Sequence, residues 1–212
     1  MITEILFIAL VMVQFALLGI TRIAASIRLV ALQGMLLGLL TLVFAVGQVT
    51  GHRLFIAVSN FAIKGFIIPW LLARAVRNAD VRQDAIPFVG PLRSLAIGIV
   101  LLGFTLWLSM ALNLPVTAAG DLALPVALFM IMTGLLLIIS QRIAATQALG
   151  YLVMENGIFL FGVAFVGEIP FLVELGTLLD AFVAIFVMGI AIHHISSEFD
   201  HMETDQLSVL KG

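Results

Sequence analysis

The chain contains no cysteine. That removes disulfides, iron–sulfur ligation and thiolate zinc or nickel sites from this polypeptide. Charge is nearly as scarce: Asp, Glu, Lys and Arg make up 10% of 212 residues, where a soluble domain carries about 25%. Only four histidines occur, and His52, His193, His194 and His201 all fall at or beyond the ends of apolar runs. A bis-histidine haem inside a bilayer therefore lacks its ligands. Period-2 alternation is missing, which argues against a membrane β-barrel. The net charge of −2 gives no basic surface for nucleic acid. What remains is apolar, 63% of the residues with mean hydropathy +1.25. This is the composition of an integral membrane protein made of helices.

Apolar runs near 20 residues long are the unit that spans a bilayer. They predict an all-α, polytopic membrane helix bundle with seven spans, at 4–21, 29–48, 54–76, 93–113, 122–141, 146–166 and 170–194. Turn formers punctuate the gaps: Gly51-His52-Arg53, Pro87 to Pro91, Asn113 to Pro115 with Gly120-Asp121, and Gly167-Glu168-Ile169-Pro170. The first run begins after Glu4, with no basic n-region, so it reads as a retained helix and not a cleaved leader.

Basic residues set the orientation. Arg22, Arg28, Arg74, Arg77, Arg82, Arg93, Arg142 and Lys211 fall in alternate links and the tail, whereas the opposite side holds Arg53. By the positive-inside rule the N-terminus faces the periplasm or exterior and the C-terminus the cytoplasm. The expected organisation is a three-helix half at 1–78, a cytoplasmic loop with a connecting helix at 79–121, a second three-helix half at 122–195 and a cytoplasmic tail at 196–212. Arg22-Ile23-Ala24-Ala25 recurs as Arg142-Ile143-Ala144-Ala145 at equivalent links, a weak parallel repeat, unlike the inverted repeats of many transporters.

Three ionisable residues interrupt the spans near their middles: Lys64, Glu155 and Asp180. A charge at that depth costs roughly 2.5–3.5 kcal/mol on insertion scales, and such residues face a protein interior or a hydrated path. Asn60 lies one turn before Lys64, and Pro69 removes the N–H that would serve the Gly65 carbonyl, predicting a kink just past the lysine. Asn156 adjoins Glu155, and Glu174 and Thr177 lead along one strip to Asp180. The candidate proton or ion pathway is thus Lys64, Glu155, Asp180 and Glu174, with Asn60, Pro69, Asn156 and Thr177 in support. The bland alternative is an ion pair, Lys64 with Glu155 or Asp180, that locks the halves together. Gln14 and Gln33 read as interhelical hydrogen bonders.

Two blocks carry a family resemblance. Gly150-Tyr151-Leu152-Val153-Met154-Glu155-Asn156-Gly157, Val173-Glu174-Leu175-Gly176 with Asp180-Ala181, and the ending Leu207-Ser208-Val209-Leu210-Lys211-Gly212 resemble the component E membrane subunit of hydrogenase-4. Asn60-Phe61-Ala62-Ile63-Lys64 with Pro69, and Ala75-Val76-Arg77-Asn78, resemble its first half. The last three spans are similar to the small K subunit of respiratory complex I. Asp180 falls at that subunit's intramembrane glutamate, and Glu155 lies almost one turn from the other.

The resemblance implies a non-catalytic subunit, without a cofactor or metal of its own, in the inner-membrane arm of a group-4 nickel–iron hydrogenase or related complex. Antiporter-like membrane subunits and a peripheral redox module would be its partners. Lys64, Glu155 and Asp180 would then help couple redox chemistry to proton or sodium movement. Two other classes stay open on the residues alone: a stand-alone secondary transporter for an ion or small metabolite, and a structural membrane scaffold.

Overall fold

The computed structural model describes residues 2–45, 58, 61–78, 89–112, 120–141 and 144–165. Among these residues the regular structure is helical, with no strand beyond single bridge positions at Arg22 and Gln141. The elements are α1 (Ile2–Gly19), α2 (Ile23–Ala45), a π-helical segment (Ile63–Ile67) that continues into α3 (Ile68–Asn78), α4 (Pro91–Leu112), α5 (Ala123–Ser140) and α6 (Ala144–Phe165).

Local sequence explains where they begin. The Arg22 carbonyl accepts the N–H groups of Ala25 and Ser26 at 3.1 and 3.0 Å, so only three residues separate α1 from α2. Pro91 opens α4 at the position where a missing N–H costs nothing, and the Gly90 carbonyl takes the Ser94 N–H at 3.0 Å. Gly120 turns the chain into α5 with φ +87°, a conformation that side chains disfavour.

These helices overlap the first six expected spans, with α2 beginning at Ile23, six residues before its expected start, so that Arg28 lies inside the helix and not in a link. Helices α1, α2, α4 and α5 are long and apolar enough to cross a membrane by themselves. The α6 helix has 22 residues but carries Glu155 and Asn156 at its centre. The seventh expected span, 170–194, and the tail lie outside the described residues.

The bundle is built from two tight hairpins, α1–α2 and α5–α6, packed with α1 on α5 and α2 on α6. Between apolar helices in lipid there is no hydrophobic drive to associate, so close backbone approach has to hold them. Glycine supplies it. A Cβ at Gly134 of α5 would stand 2.7 Å from the Gly150 carbonyl oxygen of α6, inside van der Waals contact. Gly34 and Gly38 of α2 do the same for the third span: a Cβ at Gly34 would stand 2.7 Å from the Lys64 carbonyl oxygen, and one at Gly38 2.7 Å from the Phe61 ring. The α4 helix lies against α1 and α5 through Ser94, Gly98 and Thr105 and turns Val100, Trp107 and Met110 outward.

Two apolar clusters fill the interior. The first gathers Leu17 and Leu18 of α1, Ile23 and Ile27 of α2, Ile68 and Leu72 of α3, Leu137 of α5, and Leu149 and Leu152 of α6, on the side of the hairpin links. The second gathers Phe7 and Leu10 of α1, Leu37 and Leu40 of α2, Val126 and Met130 of α5, and Phe159 and Leu160 of α6, at the opposite side.

Candidate functional site

Buried polar residues mark the junction of the two clusters, which Leu36 of α2 bridges. Along α2 the first cluster ends at Val30 and the second begins at Leu37, and Gln33 lies between. Along α5 Thr133 lies between Met130 and Leu137, and along α6 Glu155 and Asn156 lie between Val153 and Phe159. On α1 the junction falls between Leu10 and Val13, next to Gln14. The π segment adds Lys64. Five of the described segments thus each carry a buried polar side chain near the junction of the two clusters.

Lys64 and Glu155 form an ion pair at that level, 6% and 2% exposed. The ammonium donates to Glu155 Oε1 and, at 3.4 Å, to the Asn156 carboxamide oxygen. It also lies 4.9 Å from the centroid of the Phe159 ring, so the face of the far-side cluster helps hold the cation. Charge, carboxamide and π-face leave the ammonium enclosed by protein on α6.

The backbone around the lysine is unusual. Ile68 donates its N–H to the Ile63 carbonyl, five residues back, which winds one extra residue into the turn. The next step of that register sets the Lys64 carbonyl opposite Pro69, which has no N–H to give. The α-helical expectation had put the orphaned carbonyl at Gly65. The π turn moves it to Lys64, and this is the carbonyl that Gly34 admits to close range. One residue therefore presents its ammonium to α6 and its carbonyl to α2.

Of the expected pathway residues, the structure brings Lys64 and Glu155 together, with Asn156 beside them. Asn60, Glu174, Thr177 and Asp180 lie outside the described residues. Gln14 and Gln33, expected to hydrogen-bond between helices, are fully buried, and neither carboxamide finds a partner among the described residues. Thr133 and Phe159 were not singled out by sequence. Thr133 had one legible signal, a hydroxyl beside a glycine in mid-span; the role of Phe159 depends on the lysine reaching across helices. Among the described residues no cluster of His, Asp or Glu could hold a metal ion.

A helical membrane protein with an ion pair buried between two apolar layers is the class this architecture defines. The chain belongs to the hydrogenase-4 component E family. It is 30% identical over 156 residues to hydrogenase-4 component E of Escherichia coli K12, which covers 74% of this chain and 72% of that protein, and the Shigella flexneri protein matches equally. It is also 29% identical over 190 residues to the uncharacterized protein Rv0085 of Mycobacterium tuberculosis, across 88% of this chain and 86% of that one. No family model and no solved structure matches.

Proposed function

We propose that the chain is a non-catalytic membrane subunit of a hydrogenase-type complex in the inner membrane, and that it passes charge sideways through the bilayer. The observation that supports this reading is the Lys64–Glu155 pair, with apolar clusters on both sides of it along the membrane normal. A conduit from one aqueous face to the other would need polar groups through those clusters. Among the described residues the buried charges, Lys64 and Glu155, lie at the junction of the two clusters, and the polar residues buried away from it, Thr41, Ser94, Thr105, Ser140, Gln141 and Thr146, are uncharged. Charge held there has its natural outlet toward a neighbouring chain. The same geometry counts against a stand-alone transporter, which needs alternating access from both faces.

In this reading Glu155 takes up and releases a proton, and Lys64 biases its occupancy by withdrawing or offering its positive charge. Asn156 fixes the ammonium. Asp180, Glu174, Thr177 and Asn60 would extend the layer toward antiporter-like subunits, while a peripheral nickel–iron hydrogenase or related module supplies the redox step. The two hairpins, each joined by a short link and packed side by side, fit a parallel repeat of two three-helix halves.

The test is Glu155→Gln in the assembled complex. The complex should assemble with its full subunit composition at lower yield, because Lys64 loses its carboxylate, while proton or sodium pumping per assembled complex, measured in inverted vesicles, falls severalfold. Unchanged pumping would overturn the proposal.

A further inference from the structure

On the surface, charge is sorted by sign. Arg22, Arg28, Arg74, Arg77 and Arg93 are exposed and lie toward the hairpin links, whereas Glu4 and Asp121 are exposed at the starts of α1 and α5, on the far side. The remaining acid among the described residues, Glu155, is buried against Lys64. Among the described residues the link side therefore carries arginines and no carboxylate.

Two of these arginines share a stripe with a tryptophan. Trp70, Arg74 and Arg77 follow at i, i+4 and i+7 on α3, so they lie on one face of the helix, and all three are exposed. Phe66 and Ile67, on the ion-pair side of Trp70, are exposed as well. With Lys64 at mid-depth, a rise of about 1.5 Å per residue sets Trp70 about 9 Å from the bilayer centre, Arg74 about 15 Å and Arg77 about 20 Å. Half the hydrocarbon core is about 15 Å.

An arginine at that boundary ordinarily snorkels outward to water. Arg74 does the reverse. Its guanidinium carbon lies 5.6 Å from the centre of the Trp70 ring, one turn closer to the ion pair. Helical side chains lean toward the N-terminus, which in α3 is the ion-pair end, and the ring face then holds the cation. A guanidinium fixed inside the headgroup boundary calls for an anion drawn in beside it.

The order along the stripe selects that anion. Apolar, aromatic and then basic residues match the acyl chain, glycerol and phosphate of one leaflet. A partner helix would cover Phe66 and Trp70 but would need a carboxylate for each arginine. A soluble phosphate would leave the ring and the apolar residues uncovered. Guanidinium pairs with phosphate through parallel hydrogen bonds, and two of them about one turn apart repel a headgroup that carries its own ammonium. We propose that Trp70, Arg74 and Arg77 form a binding site for an anionic, amine-free phospholipid on the link side of the bundle. The lipid anchors the outer end of the span whose inner end carries Lys64, and its binding does not depend on the charge-transfer reading.

The chain has two tryptophans, Trp70 and Trp107, so fluorescence quenching tests the site. The full chain carrying Trp107→Phe is reconstituted in phosphatidylcholine vesicles. Phosphatidylglycerol and phosphatidylcholine, each bearing a nitroxide at the same acyl position, are compared as quenchers at equal mole fraction. The phosphatidylglycerol should quench Trp70 severalfold more strongly. Arg74→Gln combined with Arg77→Gln should abolish that preference, while quenching by the phosphatidylcholine persists and reports that the stripe still faces lipid. Arg93→Gln removes the same charge from α4, which packs on α1 and α5, and should leave the preference intact. Trp107, 63% exposed on α4, should show no preference in a Trp70→Phe chain. Aqueous glycerol phosphate should not displace the labelled lipid. Equal quenching of Trp70 by both lipids, quenching by neither because a second copy covers the stripe, an equal loss in Arg93→Gln, the same preference at Trp107, or displacement by glycerol phosphate would each sink the proposal.

Discussion

At the level of single residues, the Lys64–Glu155 pair fixes what substitution must do. Removing one partner of a buried pair strands the other charge and costs about 3–5 kcal/mol, whereas replacing both with apolar groups of similar volume is often neutral or better. Lys64→Met alone should therefore lower the thermal stability or yield of the complex, and Lys64→Met combined with Glu155→Met should recover most of it. Pumping separates the readings: a scaffold regains function along with stability in the double variant, and a charge-transfer subunit regains stability only. Sequence exposed both residues, because a charge in mid-span is conspicuous. It could not pair them, since 91 residues separate them and mid-depth placement leaves Asp180 an equal candidate. The structure pairs Lys64 with Glu155 across the contact between the third span and α6. Gly34 and Gly134 admit the backbones of Lys64 and of Gly150 to close range, an effect that depends on what faces them.

Among the helices, close packing at glycine is the main control on where the charges sit. Gly134→Val would put a branched side chain against the backbone of α6 at Met154 and Gly150, and the two helices would have to part. Such overpacking costs about 1–3 kcal/mol or more. The expected outcome is loss of the α5–α6 contact, read as loss of a disulfide crosslink engineered between these helices near the Gly134–Gly150 contact. Gly103→Ala is the control, since a Cβ at Gly103 meets nothing within 4 Å, and the crosslink should persist. Helix positions were legible from apolar run length, and the described helices fall in the expected order. The π turn was not. Sequence offers the proline and its missing donor, but the register that absorbs an extra residue depends on Lys64 having to face α6 while Ile68 and Leu72 face the link-side cluster.

For the molecule as a whole, the absence of cysteine gives a clean background for mapping orientation. If the basic links face the cytoplasm, a single cysteine at Thr21 should react with a membrane-impermeant maleimide in inverted vesicles and stay protected in intact cells. The reverse pattern would turn the chain over. Composition alone carried the membrane assignment, because 63% apolar residues leave no soluble alternative. The layering of the interior was hidden, since Gln14, Gln33 and Thr133 are ordinary mid-span residues until five segments are set side by side.

That layering also insulates. With an apolar cluster on either side, the charges at mid-depth answer to neither bath directly, and a lateral neighbour becomes their gatekeeper. The acidity of the surrounding medium should then reach Glu155 only by way of the assembled arm. Deuterium exchange at the Lys64 ammonium should accordingly be slow in the purified chain and hasten once the neighbouring subunits dock.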